Sequence, residues 1–313
     1  MKKISIVSSC YNEAQNLDEL YERTCKQFEY FKDKYEFEFI LADNGSTDNT
    51  AEKLRQLASA DKRVKVIINS RNFGHIRSPF NALRQSCADA VICIASDLQD
   101  PPELIKDMIE KWENGNEIVF LQKQESEENF VFYNLRKLYY KVLGMITDNG
   151  VELAPNCTGS GLYDRKIVEF LKTIDDPYPY FRGLVCEAGF QRAYIPFKQP
   201  LRKRGITANN FYTLYDMGMT GLVKNSKIPL RIMAILGFVM SFISFLGAIV
   251  YLVWKFLNWS TFSFGIAPII ITIMFISSVQ LFCLGVLGEY IGAIYTRVDK
   301  KPLTLEKERI NFD

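Results

Sequence analysis

Two uncharged stretches near the carboxyl end constrain this chain more than any other feature of its 313 residues. No charged residue occurs from Ile232 to Trp254, and none from Asn258 to Gly288. A helix crosses a bilayer core with about 20 mostly apolar residues. The first run is long enough, and the apolar heart of the second, roughly Phe264 to Leu287, is too. Only Lys255–Ser263 joins them. The expected structure is therefore a hairpin of two transmembrane helices, at about 230–255 and 264–288. Two such helices buried in a soluble core would need more surrounding chain than is present.

Charge orients the hairpin. Lys224, Lys227 and Arg231 precede the first span, and Arg297, Lys300 and Lys301 follow the second, whereas the connecting loop carries only Lys255. The positive-inside rule puts both ends in the cytoplasm. Trp254, Trp259 and Phe262 lie where an aromatic belt belongs. Residues 211–228 mix aromatic and basic residues and read as an amphipathic helix lying in the membrane interface. The division that follows is a cytoplasmic domain over 1–210, the interfacial helix over 211–228, the spans within 229–292 and a cytoplasmic tail over 293–313.

The net charge is +2 at pH 7, so the chain lacks the basic field of a nucleic-acid binder. Its seven cysteines are scattered, odd in number and without a CxxC pair, which fits reduced thiols better than a disulfide framework or metal cluster. Met1-Lys2-Lys3 runs straight into a short strand-like segment, so no secretory signal peptide is expected and the domain is read as cytoplasmic.

The first 121 residues alternate strand and helix patterns. Strands are predicted at Lys3–Ser8, Glu36–Ala42, Val64–Asn69, Ala90–Ala95 and Glu117–Leu121. Helices are predicted over 14–31, 48–59 and 77–87, and from Pro101-Pro102 to about Glu113. This order implies an α/β fold, a parallel-type sheet with helices on both faces. Ligands in such sheets bind at the carboxyl ends of the strands. That rule selects the loops Ser8–Glu13, Asp43–Asp48, Asn69–Gly74 and Ser96–Asp100. No GxGxxG or GxxxxGK[ST] phosphate cradle is present.

Those loops carry Tyr11-Asn12-Glu13, Asp43-Asn44-Gly45-Ser46-Thr47-Asp48, Ser70-Arg71-Asn72-Phe73-Gly74 and Asp97-Leu98-Gln99-Asp100-Pro101-Pro102-Glu103-Leu104. Pro229-Leu230-Arg231 enters the first span, and Gly285-Val286-Leu287-Gly288-Glu289-Tyr290-Ile291-Gly292 closes the second. In this order, the pieces resemble the family-2 glycosyltransferases of the GT-A fold. They most resemble the polyprenyl-phosphate branch, with dolichol-phosphate mannose synthases and bactoprenol glucosyltransferases.

The resemblance implies donor binding by Tyr11, Asn12, Glu13, Asp43, Ser46, Arg71, Asn72, His75 and Asp97. It implies that Asp43 holds the base or ribose of the nucleotide; a simple Asx turn is the other reading of that carboxylate. Asp97 and Gln99 stand two apart beyond a buried strand, and in extended chain both point to one side. As hard oxygen ligands they suit Mg²⁺ or Mn²⁺ carried in on a diphosphate; otherwise Asp97 caps the following helix. Asp100 suits such a cap better than it suits a ligand. Arg71 and His75, the sole histidine, make either a donor contact or a structural one. Arg202, Lys203 and Arg204 suit a lipid phosphate or the donor diphosphate, or form a basic stretch drawn to anionic lipid; Arg202 and Arg204 are the phosphate-binding candidates.

The sequence departs from the family pattern in places. Ala95 stands where the pattern has Asp. The usual Gly-Asp-Phe-Arg is Thr158-Gly159-Ser160-Gly161, and the late Ser-Lys-Tyr is Thr207-Ala208-Asn209. Glu187 replaces a tryptophan after Arg182-Gly183-Leu184, and either supplies the lost carboxylate or is a surface residue. Asp97, Glu187 and Arg202 are thus the catalytic candidates. The activity expected is inverting transfer of a sugar, from a UDP-sugar or similar donor, to undecaprenyl phosphate at the inner membrane. The partners are the nucleotide-sugar, the polyprenyl phosphate, the membrane, further copies of the chain and a flippase. Transfer to another membrane lipid, or a lapsed scaffold that only binds nucleotide-sugar, are the competing readings.

Overall fold

The computed structural model describes residues 1–124, 156–200, 218–219, 221–224, 226–257, 266–299 and 301–312. Its soluble part is built on β1 (Lys2–Cys10), α1 (Leu17–Phe31), β2 (Tyr35–Asp43), α2 (Thr50–Ala60), β3 (Val64–Asn69), α3 (Gly74–Arg84), β4 (Ala90–Cys93) and α4 (Leu104–Glu113). β5 (Ile118–Lys123), β6 (Cys157–Asp164), α5 (Arg165–Thr173), α6 (Phe181–Glu187) and β7 (Arg192–Phe197) follow. Two long helices come next, α7 (Ile228–Leu257) and α8 (Ile266–Val298), and then β8 (Glu306–Ile310).

Eight strands form one sheet in the order β7-β5-β6-β4-β1-β2-β3-β8. The centre is parallel, β4-β1-β2-β3, as the strand–helix alternation requires. Strand faces alternate, so each strand feeds two cores. Ile4, Ile6, Leu54, Ile105 and Met108 pack on the face covered by α1, α2 and α4. Val7, Ile40, Ile67, Leu83, Ile167 and Val185 pack on the face covered by α3, α5 and α6.

The parallel reading needs two corrections. β6 runs antiparallel between β4 and β5, and β8 runs antiparallel along β3. The first follows from a strand returning across the sheet. The second places the carboxyl-terminal segment, expected only as a tail, as an edge strand of the domain. Arg55 clamps Glu308, and the Asn311 amide donates to Ala58 and Val64 carbonyls. α3 also starts earlier than its pattern predicted, at Gly74, with Pro79 inside it.

α7 and α8 contain membrane-length apolar segments, Ile228–Gly247 and Thr272–Val298, whose most apolar stretches are not buried within the molecule. α8, which ends at Val298, thus outruns the predicted span by almost three turns. Of the expected interfacial helix, residues 218–219 and 221–224 are helical, while 211–217 lie outside the described residues. Lys224 joins this helical stretch to the domain through Asp176, at 2.7 Å. Tyr290 on α8 donates to the Ser226 carbonyl at 2.7 Å. After α8, Arg77 of α3 holds the Pro302 and Leu303 carbonyls.

Candidate active site

β1 and β2 end together, Cys10 opposite Asp43, and β4 ends nearby at Cys93, opposite Val7. The loops that follow share one rim. Short polar side chains stitch them together. The Asn69 amide donates to Ser78 Oγ at 3.0 Å, Ser78 meets Ser9 at 2.9 Å, and Ser96 Oγ donates to the Ser9 carbonyl at 3.0 Å. Burial pushes the Cys10 thiol far above its ordinary range and that of Cys93 up to about 12, so neither offers a thiolate near pH 7.

The first two loops form a single unit. Asn12 adopts φ +56°, its backbone N–H donates to Ser46 Oγ at 2.9 Å, and its side-chain oxygen accepts the Thr47 N–H at 2.8 Å. The Glu13 N–H donates to Thr50 Oγ1 at 3.0 Å, and Asp48 accepts the Ala14 N–H at 3.3 Å. Tyr11 is left exposed at the rim. Asp43 is 1% exposed and accepts the Ser46 N–H at 3.2 Å, so the Asx turn is real. Burial raises the pKa of Asp43 despite the hydrogen bonds from Ser46 and Gly45. Glu13 is buried and accepts from the Asn16 amide, which ties it into this loop.

The third loop packs on the second. Gly45, at φ +71°, lies so close to Arg71 that an added Cβ would fall 2.4 Å from the Arg71 carbonyl carbon. Asn44 is the knot between them: its Oδ1 accepts the Phe73 N–H at 2.9 Å, and its amide donates to Asn72 Oδ1 at 3.0 Å and the Gly74 carbonyl at 3.1 Å. Asn72 accepts the Gly74 N–H at 2.7 Å. These bonds start α3 at Gly74, before its apolar periodicity begins. Arg71 is exposed, with its guanidinium 4.1 Å from the Phe73 ring, and His75 is exposed on the first turn of α3.

The fourth loop holds Asp97 and Gln99. Leu98 takes φ +61°, and Asp97 Oδ1 accepts the Gln99 N–H at 3.1 Å. Asp97 is half-buried, and it does not cap α4, whose N-cap is Glu103. Asp100 does not cap it either. Its carboxyl is 2% exposed, and Oδ2 accepts both the Ala95 N–H, at 3.1 Å, and the Ser160 hydroxyl on β6. Its Oδ1 is buried without a hydrogen bond. Burial raises its pKa, with the Ser160 hydrogen bond opposing.

Among the described residues no three His, Cys, Asp or Glu side chains gather as a metal cage. The oxygen donors of Asp97 and Gln99, on one turn, fit a hard cation that brings diphosphate oxygens with it. Gln99 Nε2 approaches the Pro200 carbonyl at 3.5 Å. Arg202, Lys203 and Arg204 follow that residue and lie outside the described residues.

α6 begins beside Gly159, where Arg182 Nε stands 3.8 Å from the position of a Cβ. The Cys186 carbonyl of α6 accepts from Arg192, the first residue of β7, and Glu187, the last residue of α6, is exposed. α6 thus brings Arg182 next to the 158–161 segment. Asn44, Ser160 and Arg182 had no role expected from sequence, and Asp100 was expected only as a helix cap. Asn44 lies inside a motif, but Asp100 and Ser160 become partners only through the antiparallel β4–β6 pairing.

The family described as "Glycosyl transferase family 2" matches residues 5–171, and "GtrB C-terminal hairpin" matches 228–294. The chain is 35% identical over 311 residues to the uncharacterized glycosyltransferase YkcC of Bacillus subtilis, covering 99% of this chain and 94% of that one. It is 32% identical over 311 residues to the bactoprenol glucosyl transferase of Shigella phage SfX, covering 98% and 99%. Among solved structures, glucosyl-3-phosphoglycerate synthase from Mycobacterium tuberculosis, in complex with Mn²⁺, UDP and phosphoglyceric acid, superposes with TM-score 0.51. That match has 16% identity over 71% of this chain and 76% of the other, and shows the shared fold. The strand-end rim, the α/β sheet and the apolar hairpin are thus those of a glycosyltransferase, and the chain belongs to glycosyltransferase family 2, with a GtrB-type carboxyl-terminal hairpin.

Proposed function

We propose that this enzyme transfers a sugar from a nucleotide-sugar, a UDP-sugar in the first instance, to a polyprenyl phosphate at the cytoplasmic face of the membrane. The observation that carries the proposal is the convergence of Asp43, Asp97 and Gln99 on one strand-end rim of a chain that also bears two membrane-length helices. The full-length relatives named bactoprenol glucosyl transferases support the lipid acceptor. Most of the described surface of both helices is exposed, which supports packing of hairpins from several copies.

In this reading Tyr11 and Asp43 receive the base and ribose. Arg71 and His75 flank the donor. Asp97 and Gln99 hold a divalent cation, which supplies charge neutralisation on the leaving diphosphate. Arg202 and Arg204, as phosphate ligands, orient the acceptor. A phosphate monoester has its second pKa near 6, so its oxygen attacks the anomeric carbon without prior deprotonation. The bond to the diphosphate breaks as the new one forms on the opposite face, with inversion. No strong general base is needed for such an acceptor.

The test is transfer of labelled sugar from a panel of nucleotide-sugars to undecaprenyl phosphate by purified protein, with Mg²⁺ or Mn²⁺. Asp97→Asn is expected to lower turnover on the order of 10²–10³-fold. Unchanged turnover in that variant would refute the assignment of Asp97, and absence of transfer with every donor would refute the activity.

A further inference from the structure

Asp100 has a buried carboxylate for which the proposed reaction has no use. It sits one residue past Gln99, yet its side chain turns inward, away from solvent. Its Oδ2 closes the turn on itself by accepting the Ala95 N–H at 3.1 Å, and ties that turn to the next strand by accepting the Ser160 hydroxyl. Residues 95–100 are thereby a closed loop with Asp97 and Gln99 inside it. Leu98, in the middle, takes φ +61° and is 4% exposed, anchored in the core beneath. A non-glycine residue in that region persists only where its surroundings over-determine it. Here the restraints are the Asp100 carboxylate, the Leu98 anchor and the Ser96–Ser9 bond.

Ser160 is well placed for this. It stands between Gly159 at φ +90° and Gly161 at φ +154°, and Gly161 packs so closely that an added Cβ would meet the Val119 carbonyl at 2.2 Å. The backbone around Ser160 is therefore fixed by β5, and its hydroxyl is a fixed donor. Two of the places in which this sequence departs from the pattern it resembles, Ala95 and 158–161, are the ones that Asp100 joins.

We infer that Asp100 and Ser160 form a positioning latch that sets the Asp97–Gln99 turn for the cation and diphosphate of the donor; this rests on the functional reading above. Neither residue touches the reacting atoms. The latch acts by holding the two oxygen ligands in one geometry, so its loss should appear in donor-metal affinity before it appears in folding. A carboxylate in place of Ser160 would lose the donated hydrogen bond and set a second acidic group against the buried Asp100.

The experiment measures binding of Mn²⁺ in the presence of UDP, by the electron paramagnetic resonance of free Mn²⁺, on full-length protein in detergent. Loss of a residue that orients metal ligands typically weakens binding about 10–100-fold. Ser160→Ala is expected to weaken Mn²⁺–UDP binding about 10-fold at unchanged melting temperature. Ser160→Thr, which keeps the hydroxyl, should restore binding to within about twofold of the parent, and Asp100→Asn should lose at least as much as Ser160→Ala. Parental affinity in a folded Ser160→Ala protein would overturn the latch and leave the functional reading standing, as would equal losses in the Ala and Thr variants. If Asp100→Asn fails to fold, the Ser160 pair decides alone. An unsubstituted chain that binds no Mn²⁺–UDP would overturn the latch together with the reading on which it rests.

Discussion

Asn44 shows how much of this site hangs on single side chains. Buried between two loops, it uses both ends of its amide to join the chain after β2 to the start of α3. The glycine after it answers a different demand. Gly45 sits at φ +71° against the Arg71 backbone, so any Cβ there meets both conformational and steric cost. Gly45→Ala should destabilise the domain by roughly 2–5 kcal/mol, the sum of a left-handed non-glycine residue and an overpacked contact. Urea denaturation followed by intrinsic fluorescence checks this; a loss below about 0.5 kcal/mol would mean that the two loops do not pack as described. The Asp-Asn-Gly-Ser string was legible as a functional turn from sequence. The distinct jobs of its members were not, because Asn44 acts on residues 28–30 positions away.

Among the elements, β8 departs furthest from its pattern. Its five residues, Glu-Lys-Glu-Arg-Ile, carry four charges and show little of the apolar alternation by which strands are recognised. It forms because β3 presents an open edge, and because charged side chains are tolerated on an edge strand. Its anchor is the Arg55–Glu308 pair at 2.8 Å. The hydrogen bond from Arg55 holds the Glu308 carboxyl below its ordinary value of 4.5. A depressed folded-state pKa means the pair's contribution is fully present above pH 4.5 and is lost as pH falls through the lower folded value. Both partners are over a third exposed, so the contribution is at most about 1 kcal/mol. Glu308→Gln should therefore lower the melting temperature slightly at pH 7, and the gap to the parent should close on going below pH 4. A gap independent of pH would show that the charge pair is not the anchor. α3 teaches the same lesson from its other end: its periodicity starts late, but loop capping by Asn44 and Asn72 extends it back to Gly74.

In the whole molecule, the ties between the hairpin's flanks and the domain include Lys224 to Asp176 and Arg77 to the strap after α8. The strap then returns to the sheet as β8, so the chain leaves the domain for the spans and comes back to it. For a protein that works as proposed, the domain and both hairpin ends share the cytoplasmic side. Cys87, an exposed native thiol of the domain, should resist a membrane-impermeant maleimide in intact cells and react after permeabilisation. A cysteine introduced as Asn258→Cys should react in intact cells. The reverse pattern would invert the orientation read from Lys224, Lys227, Arg231 and Arg297.

By itself the sequence determined the features that rest on local periodicity and composition: two apolar helices, the alternation of strand and helix, and the polar loops at the strand ends. Such features need only neighbours within a turn or a pleat to be expressed. The tertiary structure decided which loops meet, that Asp100 binds Ser160 instead of capping α4, and that the last residues complete the sheet. Each of these depends on hydrogen bonds between segments tens to hundreds of residues apart, formed only when β6 and β8 take antiparallel places beside β4 and β3. No local pattern encodes such pairings, because the free energy that selects them lies in burying two faces of one sheet at once.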